Sequence, residues 1–324
     1  MKNEIQSKKV CIVGCGAIAR IHARQLRGKV DLRFVSRNIE NASALSKASG
    51  GGVVYDQFAE ALDDDIDAVV LCTPPALHAE GIKAALYAGK NVLVEKPLCV
   101  SKQELPSLVS AAEKYRNLSV VVAENYYYKP SLQLIKRLIT DELIGDLERI
   151  DVRKCFSQKS QGWKSNYGAL LEGGIHFLAF ISGLTNRSPE KVIAKFPSLL
   201  SGECERRSHL ELYYSESLKV CLDYAWDLPD RMRGLFQHST IHGTKGKIIF
   251  ESNGLYVLMR NQKNKFFINF PGFLDLMGYK AQTQDFLTCI CEPGRLPESG
   301  VLQAQRDLNI VFKAYEQLEE LRDE

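Results

Sequence analysis

Gly14-Cys15-Gly16-Ala17-Ile18-Ala19 is the stretch of this 324-residue chain whose residue types and spacing speak most directly of chemistry. A G-x-G-x-x-A run behind an apolar strand suits a pyrophosphate. Gly14 permits a tight turn, Gly16 lets the phosphates approach the backbone, and Ala19 allows close packing of helix on strand. Gly16, Ala17 and Ile18 open a helix whose free N–H groups and positive dipole end face an anion. Other polar turns follow later apolar runs: Ser36-Arg37-Asn38, Cys72-Thr73-Pro74-Pro75 with His78 in the next turn, Glu95-Lys96-Pro97, and Glu124-Asn125. Where a dinucleotide site preferring NAD commonly has an acid for the ribose 2′-hydroxyl, this chain has Ser36 and Arg37. A guanidinium there pairs with a 2′-phosphate or stacks on the adenine of either cofactor, so the residues lean to NADP and leave NAD open.

The elements that must hold these turns repeat one pattern over residues 9–124. The apolar runs Val10–Val13, Leu32–Val35, Val53–Tyr55, Ala68–Leu71, Val92–Val94 and Val120–Val122 do not alternate, as strands buried on both faces require. Between them lie helical periods, among them Ile82, Ala85, Leu86, Gly89 and Leu105, Leu108, Val109, Ala112. Ser101 and Glu104 predict a capping box before the second of these. Alternating strands and helices imply an α/β domain with a doubly wound parallel sheet, in which ligands bind outside the carboxyl ends of the strands. That geometry makes Gly14, Gly16, Ala17, Ile18, Ser36, Arg37, Cys72, Thr73, Pro74, His78, Glu95, Lys96 and Asn125 candidate cofactor contacts, with His78 orienting its loop or touching the cofactor.

After about residue 145 the pattern changes to alternation. Leu218, Val220, Leu222, Tyr224 and Trp226 share one parity, as do Ile150, Val152 and Phe156, and Leu210, Leu212 and Tyr214. Such strands have one face packed, which predicts an α+β domain with an open antiparallel sheet, ending in a helix through Leu308, Val311, Phe312 and Tyr315. The expected division is 1–125 for the dinucleotide-binding domain and 126–324 for a substrate-binding and oligomerisation domain. A half-apolar sheet face predicts a homodimer or homotetramer.

Composition narrows the classes further. The 42 basic and 39 acidic side chains leave a net charge of +3, with no clustered basic face to suggest nucleic acid. No apolar run approaches a membrane span, and MKNEIQSKKV lacks the apolar segment of a signal peptide. The nine cysteines form no CxxC pair, and Cys11, Cys72 and Cys221 lie inside apolar runs. Reduced thiols of a cytoplasmic protein, without a metal site, are the expectation.

The segment TPPALHAEGIKAALYAGKNVLVEKPL, together with GCGAIA, GALLEGGIH and HGTKGKIIFE in that order, resembles the glucose–fructose oxidoreductase/inositol dehydrogenase (Gfo/Idh/MocA) family along most of the chain. The resemblance implies an N-terminal Rossmann domain and NAD(P)-dependent oxidation or reduction of a carbinol or carbonyl carbon, usually of a sugar, cyclitol or nucleotide-sugar. It marks Lys96 and His176 as the catalytic pair. Lys96 precedes a proline, which keeps it out of the α region, and its ammonium can stabilise a developing oxyanion. On residue type alone, His176 beside Phe177 and Leu178 reads as a core histidine; the resemblance makes it the group that moves the hydroxyl proton.

The same resemblance makes Lys96, His176, Glu172, Tyr126, Tyr128, Trp163, Lys164 and Tyr279 the candidate substrate contacts. Glu172 lies four residues before His176, and Gly173-Gly174 are expected to leave room for a ligand. The resemblance is imperfect at three places. Glu172 replaces the family's usual aspartate, Ala179 stands where an acid is common, and tyrosines replace an arginine after the sixth run. The reading is a nucleotide-sugar oxidoreductase, with the 3-hydroxyl of UDP-N-acetylglucosamine as the finer candidate. The alternatives are an NADPH-dependent ketosugar reductase and a non-catalytic dinucleotide-binding sensor.

Overall fold

The apolar runs become the strands of a parallel sheet: β1 (Lys9–Val13), β2 (Asp31–Val35), β3 (Val53–Tyr55), β4 (Ala68–Leu71), β5 (Asn91–Glu95) and β6 (Val120–Ala123). The computed structural model describes residues 5–158, 166–197, 199, 203–214, 217–229, 232, 234–263 and 265–323. The strand order is β3-β2-β1-β4-β5-β6 with every pair parallel, so the chain reverses direction across the sheet between β1 and β4. That reversal opens a crevice beside the end of β1, which is where the glycine turn sits.

Helices α1 (Ala17–Leu26), α2 (Ile39–Ala48), α3 (Phe58–Asp63), α4 (His78–Tyr87) and α5 (Leu105–Lys114) alternate with these strands. The buried residues of α1 are Ala19, His22, Ala23 and Leu26, one stripe at i, i+3, i+4 and i+7. The capping box expected at Ser101 and Glu104 does not form. Helix α5 starts after Glu104 with no side-chain cap, and the Ser101 hydroxyl engages Gln103 instead. Pro106 at the helix start has no N–H to be capped. A capping box does form at Gln57 and Glu60 before α3.

The contacts divide the chain differently from a single cut at residue 125. One compact unit comprises residues 1–124 and 279–305, the other 125–278 and 306–324. The reason lies in α8 (Tyr279–Cys291), whose Phe286, Leu287, Cys289 and Ile290 join Val10, Ile12, Phe34 and Val121 in the first unit's core. A backbone bond from Val122 N–H to the Ser299 carbonyl (2.8 Å) fastens the returning chain to β6.

The second unit carries an eight-stranded sheet in the order β14-β13-β12-β11-β7-β10-β9-β8. Its strands are β7 (Leu147–Cys155), β8 (Lys191–Lys195), β9 (Arg207–Tyr213), β10 (Lys219–Ala225), β11 (His238–Gly243), β12 (Gly246–Glu251), β13 (Val257–Asn261) and β14 (Phe266–Asn269). All pairs are antiparallel except β7 with β10, so the sheet is mixed. A parallel pair needs a long crossover, and the connection here holds helix α7 (Ile175–Thr185), β8 and β9. Leu210, Leu212, Val220, Leu222 and Tyr224 are buried on one face as their parity predicts. The opposite face of β9 and β10 is not half-apolar. Lys219 pairs with Glu211 (2.8 Å), His209 meets Asp223 (2.7 Å) and Arg207 meets Asp227 (2.6 Å). The unit is completed by helix α6 (Pro130–Thr140) and by most of α9 (Val301–Asp323), whose Leu308, Val311 and Phe312 are buried.

Candidate functional site

In the first unit, the glycine turn adopts the geometry its residue types imply. Gly14 has φ +87°, and a β-carbon on it would lie 2.8 Å from the Cys72 carbonyl oxygen. Its N–H donates to the Val35 carbonyl (2.8 Å), so only glycine fits between β1, β2 and the turn after β4. Gly16 differs. A β-carbon there would meet nothing within 4 Å, and Gly16 caps α1 with neither a side-chain hydrogen bond nor an acid in the first turn. The amides opening α1 at Ala17 and Ile18 thus meet neither a capping side chain nor an acid of their own first turn. Close by, the Thr73 hydroxyl is buried with no hydrogen-bond partner among the described residues. Open backbone, an uncapped positive helix end and an orphaned hydroxyl fit the diphosphate of a dinucleotide.

Ser36 and Arg37 follow β2 directly, and Arg37 is exposed. Asn38 caps α2, accepting from the amides of Glu40 and Asn41. Pro74 and Pro75 turn the chain after β4 into α4. His78 does not present a nitrogen to a ligand. It is 0% exposed, with Nδ1 at 2.8 Å from the Pro97 carbonyl and Nε2 at 2.9 Å from the Thr73 carbonyl. It therefore ties the β4 turn to the β5 turn. Burial holds its imidazole below the usual value, against the upward pull of those carbonyls and of Glu95 and Glu104.

Glu95 ends β5 and Lys96 follows it, and the Lys96–Pro97 peptide is cis. The Glu95 carboxylate accepts from His22 Nε2 at 2.6 Å. Burial opposes its ionisation, but that hydrogen bond and the charges of His22, Lys96 and His78 outweigh burial and hold the carboxyl below its usual range. His22 was invisible as a site residue, although its place in the buried stripe of α1 was the available signal. Tyr279, at the start of α8, joins the same group: burial, with the charges of Glu95 and Glu124, pushes its phenol up to about 12.

The second unit gathers the other candidates. Asn125–Tyr128 form a 3₁₀ turn with all four side chains buried. Asn125, two residues past β6, groups with this unit, and its amide donates to the Met277 carbonyl (2.6 Å). Tyr126 stacks on His176, with ring centroids 4.8 Å apart and planes at 18°, and meets Phe177 edge-on at 5.2 Å. The Lys129 ammonium lies 4.2 Å from the Tyr126 ring centre. Tyr126 is thus packed behind His176, and Tyr128 is buried beside it in sequence.

Glu172 falls in a five-residue π-helix, Leu170–Gly174, that runs into α7. Such segments are short and rare, and occur often at functional sites. Glu172 is buried, whereas His176 is half-buried in a run of fully buried neighbours from Ile175 to Ile181. The space beside Gly173 and Gly174 is not left for a ligand. A β-carbon on Gly173 would lie 1.9 Å from the Tyr224 hydroxyl, and one on Gly174 would lie 2.8 Å from Leu170. The glycines admit Tyr224, whose phenol burial and the charges of Glu172, Tyr126 and Glu205 push far above its usual value. Trp163 and Lys164 lie outside the described residues.

The first unit is therefore a dinucleotide-binding Rossmann domain, and the second an α+β domain carrying a histidine on an irregular helix. Residues 8–124 match the oxidoreductase family with an NAD-binding Rossmann fold, and residues 132–249 match the GFO/IDH/MocA C-terminal domain. The chain belongs to the Gfo/Idh/MocA oxidoreductase family. It is 30% identical over 156 residues to 4-carboxy-2-hydroxymuconate-6-semialdehyde dehydrogenase of a Sphingobium strain, covering 47% of this chain and 49% of that protein. It is 29% identical over 190 residues to glucose-6-phosphate 3-dehydrogenase of Bacillus subtilis, covering 54% and 53%. These matches span about half the length of the curated relatives. Among solved structures, UDP-N-acetylglucosamine 3-dehydrogenase from Acidithiobacillus ferrooxidans shares the fold with a TM-score of 0.82 at 16% identity, over 94% of this chain and 96% of that one.

Proposed function

We propose that the protein is an NAD(P)-dependent oxidoreductase acting on a ring carbinol or keto carbon of a sugar or nucleotide-sugar. The observation that carries this reading is the open Gly16 turn before an uncapped α1, on the sheet edge that also bears Lys96. The dinucleotide, when bound, supplies or accepts the hydride. Gly14, Gly16, Ala17, Ile18 and Thr73 hold its diphosphate, with Cys72 and Pro74 shaping the turn. The Lys96 ammonium stabilises negative charge on the substrate oxygen, and His176 takes or returns the hydroxyl proton. Glu172, Tyr128 and Tyr279 contact the sugar, and Trp163 and Lys164 remain candidates on sequence grounds. The finer reading is oxidation of the 3-hydroxyl of UDP-N-acetylglucosamine. A screen at 340 nm with NAD and NADP against sugars, cyclitols and UDP-sugars tests it. Turnover of a cyclitol alone would overturn the nucleotide-sugar assignment.

Arg37 favours a second reading, an NADPH-dependent ketosugar reductase. Its guanidinium is exposed just past β2 and has no ion pair among the described residues. A 2′-phosphate pairs with such a group more strongly than a hydroxyl does. Arg37→Ser is expected to raise the Kd for NADPH by roughly 10- to 100-fold and leave NADH within about twofold, as a charge-assisted pair of about 1.5–3 kcal/mol implies. Equal weakening of both cofactors would place Arg37 on the adenine instead.

We further propose a cytoplasmic homodimer or homotetramer. Cys11, Cys15, Cys72, Cys99, Cys155, Cys221 and Cys289 form no disulfide, and burial pushes Cys11 and Cys99 up to about 12, which makes these two thiols unreactive. Exposed Phe266 and Ile268 on β14, with Phe270, Phe273 and Leu274 beyond it, form the apolar surface that association would cover. Sedimentation at micromolar concentration should give a mass of two or four chains; a clean 36.4 kDa species would refute association.

A further inference from the structure

The side chain of Glu205 has no place in any motif of the sequence, yet it sits at the start of the helical segment that bears Glu172 and His176. Glu205 is 2% exposed. Its Oε2 accepts from the Ala169 amide (2.8 Å) and its Oε1 from the Leu170 amide (2.8 Å). The Tyr315 hydroxyl, from α9, donates to the same Oε1 at 2.8 Å and accepts from the Leu171 amide at 3.2 Å. The next amide, Glu172, makes the first bond within the helix, to the Gly168 carbonyl at 3.1 Å. The first three donors of the segment are thus taken up by Glu205, whose backbone carbonyl also accepts from the Ala169 amide at 2.9 Å, and by the Tyr315 phenol. The chain approaches so closely that a β-carbon on Gly168 would lie 1.8 Å from Glu205 Oε2.

We propose that Glu205 and Tyr315 are positioning residues for His176. This rests on the reading of His176 as the proton-handling group. A π-helix differs from an α-helix by one residue in its hydrogen-bond register, and a shift of one residue turns a helix by about 100°. Leu170–Gly174 lies between the anchored amides and His176. Fixing its N-terminal end fixes the register, and with it the direction in which His176 projects. The carboxylate also complements the positive end of the helix dipole. Burial and the charge of Glu205 raise the Tyr315 phenol far above its usual value, which keeps it a donor to that carboxylate.

The test compares Glu205→Gln and Tyr315→Phe with the wild-type protein. An amide at 205 keeps the shape but places an NH₂ group against donors. Three readouts are expected to move together. Hydrogen exchange at Ala169–Leu171 accelerates, and the His176 ring resonance, identified by its loss in His176→Asn, changes position. The kcat on the sugar found in the 340 nm screen falls roughly 10- to 100-fold, as a misplaced catalytic group implies, while the Kd for NADPH, bound by the other unit, stays within about twofold. A helix cap with no positioning role would change the exchange and leave kcat and the His176 resonance unaltered, which overturns the proposal. If Glu205→Gln does not fold, Tyr315→Phe decides by the same readouts. If the wild-type protein turns over no sugar, the functional reading fails; the His176 resonance still decides the positioning claim, and an unmoved resonance in both variants overturns it.

Discussion

Replacing Lys96 with methionine is expected to lower kcat/KM by roughly 100- to 10,000-fold, the range for removing a group that stabilises transition-state charge. Methionine keeps most of the length of the lysine stem and discards only the charge. The turn around it has supports other than the ammonium. Pro97, Leu98 and Cys99 are buried, His78 holds the Pro97 carbonyl, and Lys96 itself is half-buried at the end of β5. The thermal midpoint should therefore stay within a degree or two, and NADPH should bind with nearly wild-type affinity. Glu95 loses one of the charges that favour its ionised form, but His22 still donates to it at 2.6 Å. A Lys96→Met protein with full activity on the true substrate would remove Lys96 from the mechanism.

Gly16→Asp is expected to weaken dinucleotide binding by on the order of 100-fold or more while leaving the unliganded protein as stable as the wild type. A side chain at 16 meets no atom within 4 Å, and the backbone there, at φ −83°, is open to any residue. Aspartate is also a good N-cap, so α1 gains a hydrogen-bonded start. What it loses is the space and the positive potential that a diphosphate needs, since a carboxylate now stands over the first amides. Calorimetric titration with NADP and NAD, beside a melting curve of the free protein, measures both halves. Unchanged affinity would mean that the phosphates do not bind at this turn. A lowered melting point would mean that Gly16 serves the fold, as Gly14 does through its contact with the Cys72 carbonyl.

The parallel sheet was legible because its strands are buried on both faces, and an uninterrupted apolar run such as Ala68–Leu71 has no other common use. The glycine turn was legible because it is local, with Gly14 and Gly16 two residues apart on one element. What escaped the sequence was assembled over distance. Residues 279–305 join the first unit through Phe286 and its neighbours, a packing that no run near residue 125 announces. The parallel pairing of β7 with β10 follows from a crossover, and parity alone does not distinguish it from an antiparallel pair. Gly173 reads in the sequence as space for a ligand because a missing side chain says nothing of what fills the gap, which is Tyr224. Tyr126 reads as a substrate contact from the family resemblance after the sixth strand, and its stack on His176, on another element, has no spacing in the sequence to show it. Glu205 and Tyr315 carried no signal, since a single buried carboxylate reached from another element has no spacing to recognise.

Hydride transfer between nicotinamide C4 and a ring carbon is the step to which every residue role above is tied. Its most direct test uses NADPH or NADH deuterated at C4 on one face, incubated with the 3-keto form of a UDP-sugar, with the product analysed by mass spectrometry and NMR. One deuterium at a single ring carbon, from one face of the nicotinamide only and absent with Lys96→Met, is the predicted result. A protein that binds the dinucleotide but moves no deuterium to any sugar, cyclitol or nucleotide-sugar would contradict it.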